Sequence, residues 1–265
     1  MSKTGRDDFY VGYLPKAPAE LAKWLRSLIV FLIVAFAAVS FGLVSSQMGF
    51  YPSVFEFQQY KEFEGVIAEQ PYPMLLVERP GNANGESEFS AYYLTVFGKF
   101  GANEAVAGLD GKRVKMEGAL IYRDGQTMIE IKDGSISALS QTAEQPGDFF
   151  SASTSLGKNV VVGEIVDSKC FLGVMNPGSL KPHKSCAIRC ISGGAPPVLI
   201  ARDPDGKAHQ FLLTSPDGKV VNKQVLDMIA EPVAVTGEIV KYRDMLVLKA
   251  DPASIVRLNS EEQSR

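Results

Sequence analysis

All three cysteines of the chain and one of its two histidines lie close together, as Cys170, His183, Cys186 and Cys190. Their spacing is C-x12-H-x2-C-x3-C. Thiolates and imidazole are the usual donors for zinc, with Zn–S bonds of about 2.3 Å and Zn–N bonds of about 2.0–2.1 Å. Copper(I) also favours thiolates, and Met175 is a nearby soft side chain. An iron–sulfur cluster would use the same sulfurs. The candidate cofactors are therefore zinc, copper or an iron–sulfur cluster, and the candidate ligands are these four residues.

Two other readings use the same side chains. A disulfide from Cys170 to Cys186 or Cys190 would close a loop worth about 3 kcal/mol in the chain-entropy model. It would leave one odd thiol with no metal bound, and a thiol near a helix N-terminus is a candidate for redox chemistry. The third reading is that the cysteines only fill space in a core.

The elements that must hold these groups can be read outward from them. Pro182 suits the first turn of a helix and Gly193-Gly194 its end. His183, Cys186 and Cys190 then fall at i, i+3 and i+7 on one helix face, with Cys170 supplied by the preceding loop. Positions i and i+7 of a regular helix are about 10.5 Å apart. One ion reaches both His183 and Cys190 only if the helix bends or unwinds.

Around this stretch the chain reads as two small all-β domains. The strands expected in the first are 62–68, 73–78, 90–97, 112–122 and 127–132, with a hairpin turn at Arg123-Asp124-Gly125. In the second they are 160–167, 197–203, 208–214, 232–242 and 245–249, with a helix over 222–230 capped by Asn222. The halves repeat. Val114-x-Met-x-Gly118 matches Val233-x-Val-x-Gly237, and Ser135-Ile136-x-x-Leu139 matches Ser254-Ile255-x-x-Leu258; each pair is 119 positions apart. Gly65-Val-Ile67 matches Gly163-Glu-Ile165 only 98 positions on. The second copy therefore carries an insertion between its first strand and its later ones, and the Cys/His stretch is in it. Five strands with a helix between the third and fourth is the order of an OB-type barrel, whose loop between strands 1 and 2 is a usual ligand loop.

Ahead of the barrels, residues 28–44 are apolar, and no charge occurs between Arg26 and Glu56. That length spans a bilayer as a single helix. Lys16, Lys23 and Arg26 precede it and Glu56, Lys61, Glu62, Glu64 and Glu69 follow it. The positive-inside rule places the N-terminus in the cytoplasm of a bacterial inner membrane and the barrels in the periplasm. Phe50, Tyr51, Phe55, Phe57 and Tyr60 read as an aromatic belt at the outer interface. The expected organisation is a cytoplasmic tail (1–26), a transmembrane helix (27–50), a first OB-like domain (51–139), a linker (140–158), a second OB-like domain (159–259) and a tail (260–265).

The formal net charge of −3 and the pI of about 5.6 argue against a nucleic-acid partner, which calls for a basic face. No phosphate-binding glycine loop, Ser-His-Asp order, HExxH or CxxCH occurs, so neither a hydrolase nor a c-type haem protein is indicated. His209 stands alone in an expected strand and reads as a surface residue.

The run Cys170-x-x-Gly173, His183-Lys-x-Cys186-Ala-x-x-Cys190-Ile-x-Gly193-Gly194-x-Pro196-Pro197, followed by Asp205-Gly-Lys207, resembles one found in small exported bacterial proteins of unknown function. The resemblance covers the second domain and implies an extracytoplasmic, site-bearing β-domain. An OB-like barrel behind an N-terminal anchor is also similar in outline to the periplasmic haem chaperone of cytochrome c maturation. The haem-binding His near a C-terminal Tyr of that family has no counterpart here. The expected role is that of an accessory subunit or assembly factor of a respiratory or redox membrane complex. The alternatives are a thiol–disulfide redox protein and a purely structural interaction subunit.

Overall fold

The computed structural model describes residues 18–48, 53–79, 88–139 and 153–258. Most of the N-terminal tail, Phe50, Tyr51, the loop at 80–87, residues 140–152 of the expected linker and the C-terminal tail lie outside the described residues. The chain divides into two compact units, Met1–Tyr51 and Pro52–Arg265.

The first unit is the helix α1 (Ala19–Met48). Within it, Ala19–Ser46 has a mean hydropathy of 2.7 over its most apolar window, and none of that window is buried. At about 1.5 Å per residue it is longer than the hydrocarbon core of a bilayer. It is apolar on every side, as a membrane span is and an amphipathic surface helix is not.

The second unit is a pair of barrels. The strands are β1 (Val54–Phe55), β2 (Lys61–Ala68), β3 (Met74–Arg79), β4 (Glu88–Val96), β5 (Phe100–Gly101), β6 (Arg113–Arg123), β7 (Gln126–Ile131) and β8 (Ser137–Ala138), followed by β9 (Ser153–Asp167), β10 (Pro197–Arg202), β11 (Ala208–Thr214), β12 (Pro232–Tyr242) and β13 (Met245–Arg257). The first barrel closes as β2-β3-β4-β7-β6 and the second as β9-β10-β11-β13-β12. Each has one parallel contact, between its third and fifth strands. This is the five-stranded OB arrangement expected from the sequence.

The repeat holds at the level of register. Gly65 lies opposite Val114, and Gly163 opposite Val233. Gly118 pairs with Ile131, and Gly237 with Ala250. A β-carbon on Gly65 would run into the Leu76 carbonyl oxygen, and one on Gly163 into the Ile200 carbonyl oxygen. Both copies thus need glycine at the same place because the same neighbouring strand comes too close for a side chain.

Side-chain alternation then separates inside from outside. Leu75, Leu94 and Ile129 fill the first barrel, and their equivalents Leu199, Leu213 and Leu248 fill the second. The alternate positions Met74, Leu76, Tyr93, Ile121 and Met128 join Val198, Ile200, Leu212, Val240 and Val247 in one buried cluster between the barrels. The two copies therefore bury equivalent outer faces against each other, as subunits of an isologous dimer do.

Three local expectations change. Residues 153–158 belong to β9, where they pair with β12 as far as Tyr242. Their Ser/Gly-rich composition suggests a linker, but the partner strand decides. β13 continues past Asp251-Pro252 because those residues lie in an irregularity opposite Thr236, where a proline needs no ladder partner. The helix expected over 222–230 is one short turn, Leu226–Met228. Phe55 is in β1, opposite Ile121 and edge-on to Phe57 with ring centroids 5.3 Å apart. It packs on the barrels.

Candidate metal centre

In the first barrel, residues 69–73 join the first two strands; in the second, residues 168–196 do so. This insertion leaves β9 at Asp167 and makes a wide turn, Cys170–Val174. A tight turn, Lys181–His183, carries Pro182 and leads into α2 (Lys184–Ser192). The helix ends at Gly193-Gly194, whose amides donate to the Arg189 and Ile191 carbonyls. His183 is thus on a tighter turn than the regular helix that follows, and because such a turn rises further per residue it does not bring His183 closer to Cys190. Asn222 does not cap a helix. Its side-chain amide donates to the Ile191 and Ala195 carbonyls, at 2.7 and 3.0 Å, and so ties down the C-terminal end of the insertion.

The four expected ligands divide between two donor groups that share Cys170, and His183 and Cys190 fall in different ones. The Cys170 sulfur is 3.8 Å from Cys186 Sγ and 4.0 Å from Cys190 Sγ. The donor atoms of Cys170, His183 and Cys186 all lie within 4.8 Å of one another. So do those of Asp167, Cys170 and Cys190. Two sulfurs bound to one tetrahedral zinc at about 2.3 Å would be about 3.8 Å apart. A disulfide needs a bond of about 2.05 Å, and no pair here approaches it.

Asp167 is the residue that the Cys/His pattern misses. It is fully buried, and its Oδ2 lies 2.9 Å from His183 Nε2. Its Oδ1 accepts the Cys170 backbone N–H at 2.8 Å. A carboxylate that fixes one nitrogen of an imidazole is the support that metal-bound histidines commonly have. The available signal was an acid at the end of an apolar strand, three residues before Cys170.

Two lysines complete the surroundings. Lys169 is buried, and its ammonium pairs with Glu130 at 2.6 Å and donates to the Val96 and Gly98 carbonyls at 2.7 and 2.9 Å. It thereby grips the hairpin between β4 and β5 of the first barrel. The Gly101 amide donates to the Gly193 carbonyl at 2.9 Å and fixes the same hairpin to the end of α2. The hairpin delivers Lys99, whose Nζ is 2.7 Å from Cys186 Sγ. Arg123 of the first barrel stacks on Phe171, 4.3 Å from its ring centroid, and donates to its carbonyl. The site therefore belongs to the second barrel in sequence but is completed by the first.

The charges follow from this geometry. The Cys170 thiol is pushed up by its hydrogen bond with Cys190 Sγ, by burial and by the nearby Asp167 carboxylate. Cys190 is lowered by the same hydrogen bond, with Lys99 adding positive charge. Lys99 is raised by its contact with Cys186. Met175 is exposed and His209 pairs with Asp203 at 3.2 Å; neither is in either donor group.

No family model matches the chain, and no curated protein matches it. The resemblance to exported proteins thus rests on the motif alone. Among solved structures, the chain is similar to a deletion mutant of the single-stranded DNA binding protein from Thermus aquaticus, at 13% identity, covering 78% of this chain and 89% of that one, with a TM-score of 0.22. A likeness that weak carries no argument, and the OB-like assignment rests on strand order and register.

Proposed function

We propose that this is a membrane-anchored protein whose second barrel binds a thiophilic metal ion, zinc(II) or copper(I), through Cys170 and donors drawn from His183, Cys186 and Cys190, with Asp167 supporting the histidine. It serves as an accessory subunit or assembly factor of a respiratory or redox complex in the bacterial inner membrane, with its barrels in the periplasm. The observation that carries the metal reading is the buried Cys170 sulfur, which lies at metal-edge distance from two other sulfurs beside a carboxylate-bound histidine. The apolar helix α1 and the flanking charge support the anchor and its orientation. The test is elemental analysis and a UV–visible spectrum of the full chain purified in detergent. Stoichiometric zinc or copper, lost in Cys170→Ser, is expected. No stoichiometric metal alongside three free thiols would sink the reading.

The second reading is thiol–disulfide exchange. It is favoured by the half-buried Cys186, which has an ammonium beside it and Cys170 Sγ 3.8 Å behind it. It expects a Cys170–Cys186 disulfide on mild oxidation, detectable by mass spectrometry, in a protein that binds no metal.

A further inference from the structure

Cys186 differs from the other donors of the site. Asp167, Cys170, His183 and Cys190 are each at most 3% exposed, whereas Cys186 is only partly buried. It is also the sulfur held by a cation from the other barrel, Lys99. A structural zinc site has all four positions filled by protein ligands. Here one corner can be reached from solvent and has a competitor built beside it.

That competitor is held in place. Lys169 and Gly193 fix the hairpin on both flanks of Lys99, and the neighbouring side chains Phe97 and Phe100 point outward, 74% and 60% exposed. An ammonium hydrogen-bonded to a thiolate draws on the same electron pairs that a metal ion would use. Hydrogen bonds to ligating sulfurs and other outer contacts tune a bound metal in this way.

Resting on the metal-site reading, we propose that the site handles the ion as cargo, with Cys186 as the arm through which it is exchanged and Lys99 as the positioning residue that weakens this arm. In the exchange step, a thiolate of the accepting molecule forms a bond to the ion as the bond to Cys186 Sγ breaks. The freed Cys186 thiolate returns to the Lys99 ammonium. One thiolate replaces another, no electrons are transferred and the oxidation state of the ion is unchanged. Cys170 and His183, which share a donor group with Cys186, keep hold until the accepting molecule supplies further donors.

The test uses the full chain in detergent, loaded with Zn²⁺ or, in parallel, Cu⁺, and mixed with rising concentrations of a chromogenic thiol chelator. The transfer rate should rise with chelator concentration, as expected for attack at an accessible corner. Lys99→Met should hold the ion more tightly and slow the transfer by about tenfold, the lower end of what outer contacts do to metal sites. Lys99→Arg, which keeps the cation, should stay near the parent. All three proteins should carry the same metal stoichiometry and melt at similar temperatures, since Lys99 lies on the surface. A rate independent of chelator concentration and unchanged in Lys99→Met would overturn the cargo proposal and leave a closed structural site. A parent protein that retains neither ion would overturn the metal reading itself.

Discussion

The two barrels are the same device used twice, and they differ chiefly in one loop. In the first, residues 69–73 turn tightly and bury Tyr72, whose hydroxyl donates to the Leu213 carbonyl and accepts the Val221 N–H of the second barrel. In the second, residues 168–196 send Lys169 and Phe171 into the first barrel. Each loop between strands 1 and 2 therefore crosses to the other barrel. The short one only fastens; the long one fastens and also carries chemistry. A duplicated domain that packs on itself through equivalent faces has used the surface where an OB barrel often binds ligands. The chemistry moved to the loop at its edge. The plain copy is not idle: without its hairpin at 96–101 the cluster would lack Lys99.

The sharpest way to break this arrangement is at Lys169. Removing the side chain, as in Lys169→Ala, leaves Glu130 buried and unpaired, which typically costs about 3–5 kcal/mol. Metal retention should fall with it, because Lys169 stands next to Cys170 and its loss disturbs the turn that places this sulfur. Lys169→Met combined with Glu130→Gln removes both charges and should recover most of the stability in urea denaturation but not the placement of Lys99. If the double variant were as unstable as Lys169→Ala, the loss would be one of packing and not of an unpaired charge.

The glycine repeat allows a symmetrical test. Gly65→Ala and Gly163→Ala each push a β-carbon onto a carbonyl of the next strand, and overpacking of this kind costs about 1–3 kcal/mol. The two costs should be similar if the barrels are true equivalents, as measured by denaturant midpoints of the full chain. A large penalty at one site and none at the other would show that one barrel can relax where its twin cannot.

The fastening and the chemistry should also separate. Tyr72→Phe strands the buried Val221 N–H and should cost about 1–3 kcal/mol while leaving metal stoichiometry alone. Asp167→Asn should do the reverse. It keeps the shape of the support but weakens its grip on His183, lowering metal affinity by about 10–100-fold, as loss of such outer partners does. Competition titrations against a chelator would measure this.

What could be read from the sequence follows from the range of the interactions. Strands β11 and β12 have the limits that alternation and turn residues assign, because those signals are local. The Cys/His cluster was legible for the same reason: its members are neighbours in sequence. Lys99 was not, since its partner Cys186 is in the other barrel and nothing around Phe97-Gly-Lys-Phe marks it. Asn222 looked like a helix cap because its type suits one; only the fold shows that two carbonyls of the insertion claim its amide first. Composition gives no hint of the strand that Phe55 joins.

The smallest test concerns one position where the repeat diverges. Val66 of the first barrel is buried in the shared cluster, and its equivalent in the second barrel is Glu164. The glutamate accepts the Leu180 N–H of the insertion, so the substitution serves the loop at the expense of an apolar contact. Burial raises the Glu164 carboxyl above its ordinary range, and the Leu180 hydrogen bond only partly opposes this. A carboxyl raised in the folded state binds its proton more tightly there than in the unfolded chain. Its contribution is full below the unfolded value, about 4.3, and is lost as the pH rises through the raised folded value. Glu164→Gln keeps an acceptor for Leu180 without the charge. It should match the parent below that window and be slightly more stable above it, in thermal melts taken from pH 4 to pH 8. A variant less stable than the parent at pH 8 would mean that the ionised carboxylate holds the insertion better than its burial costs.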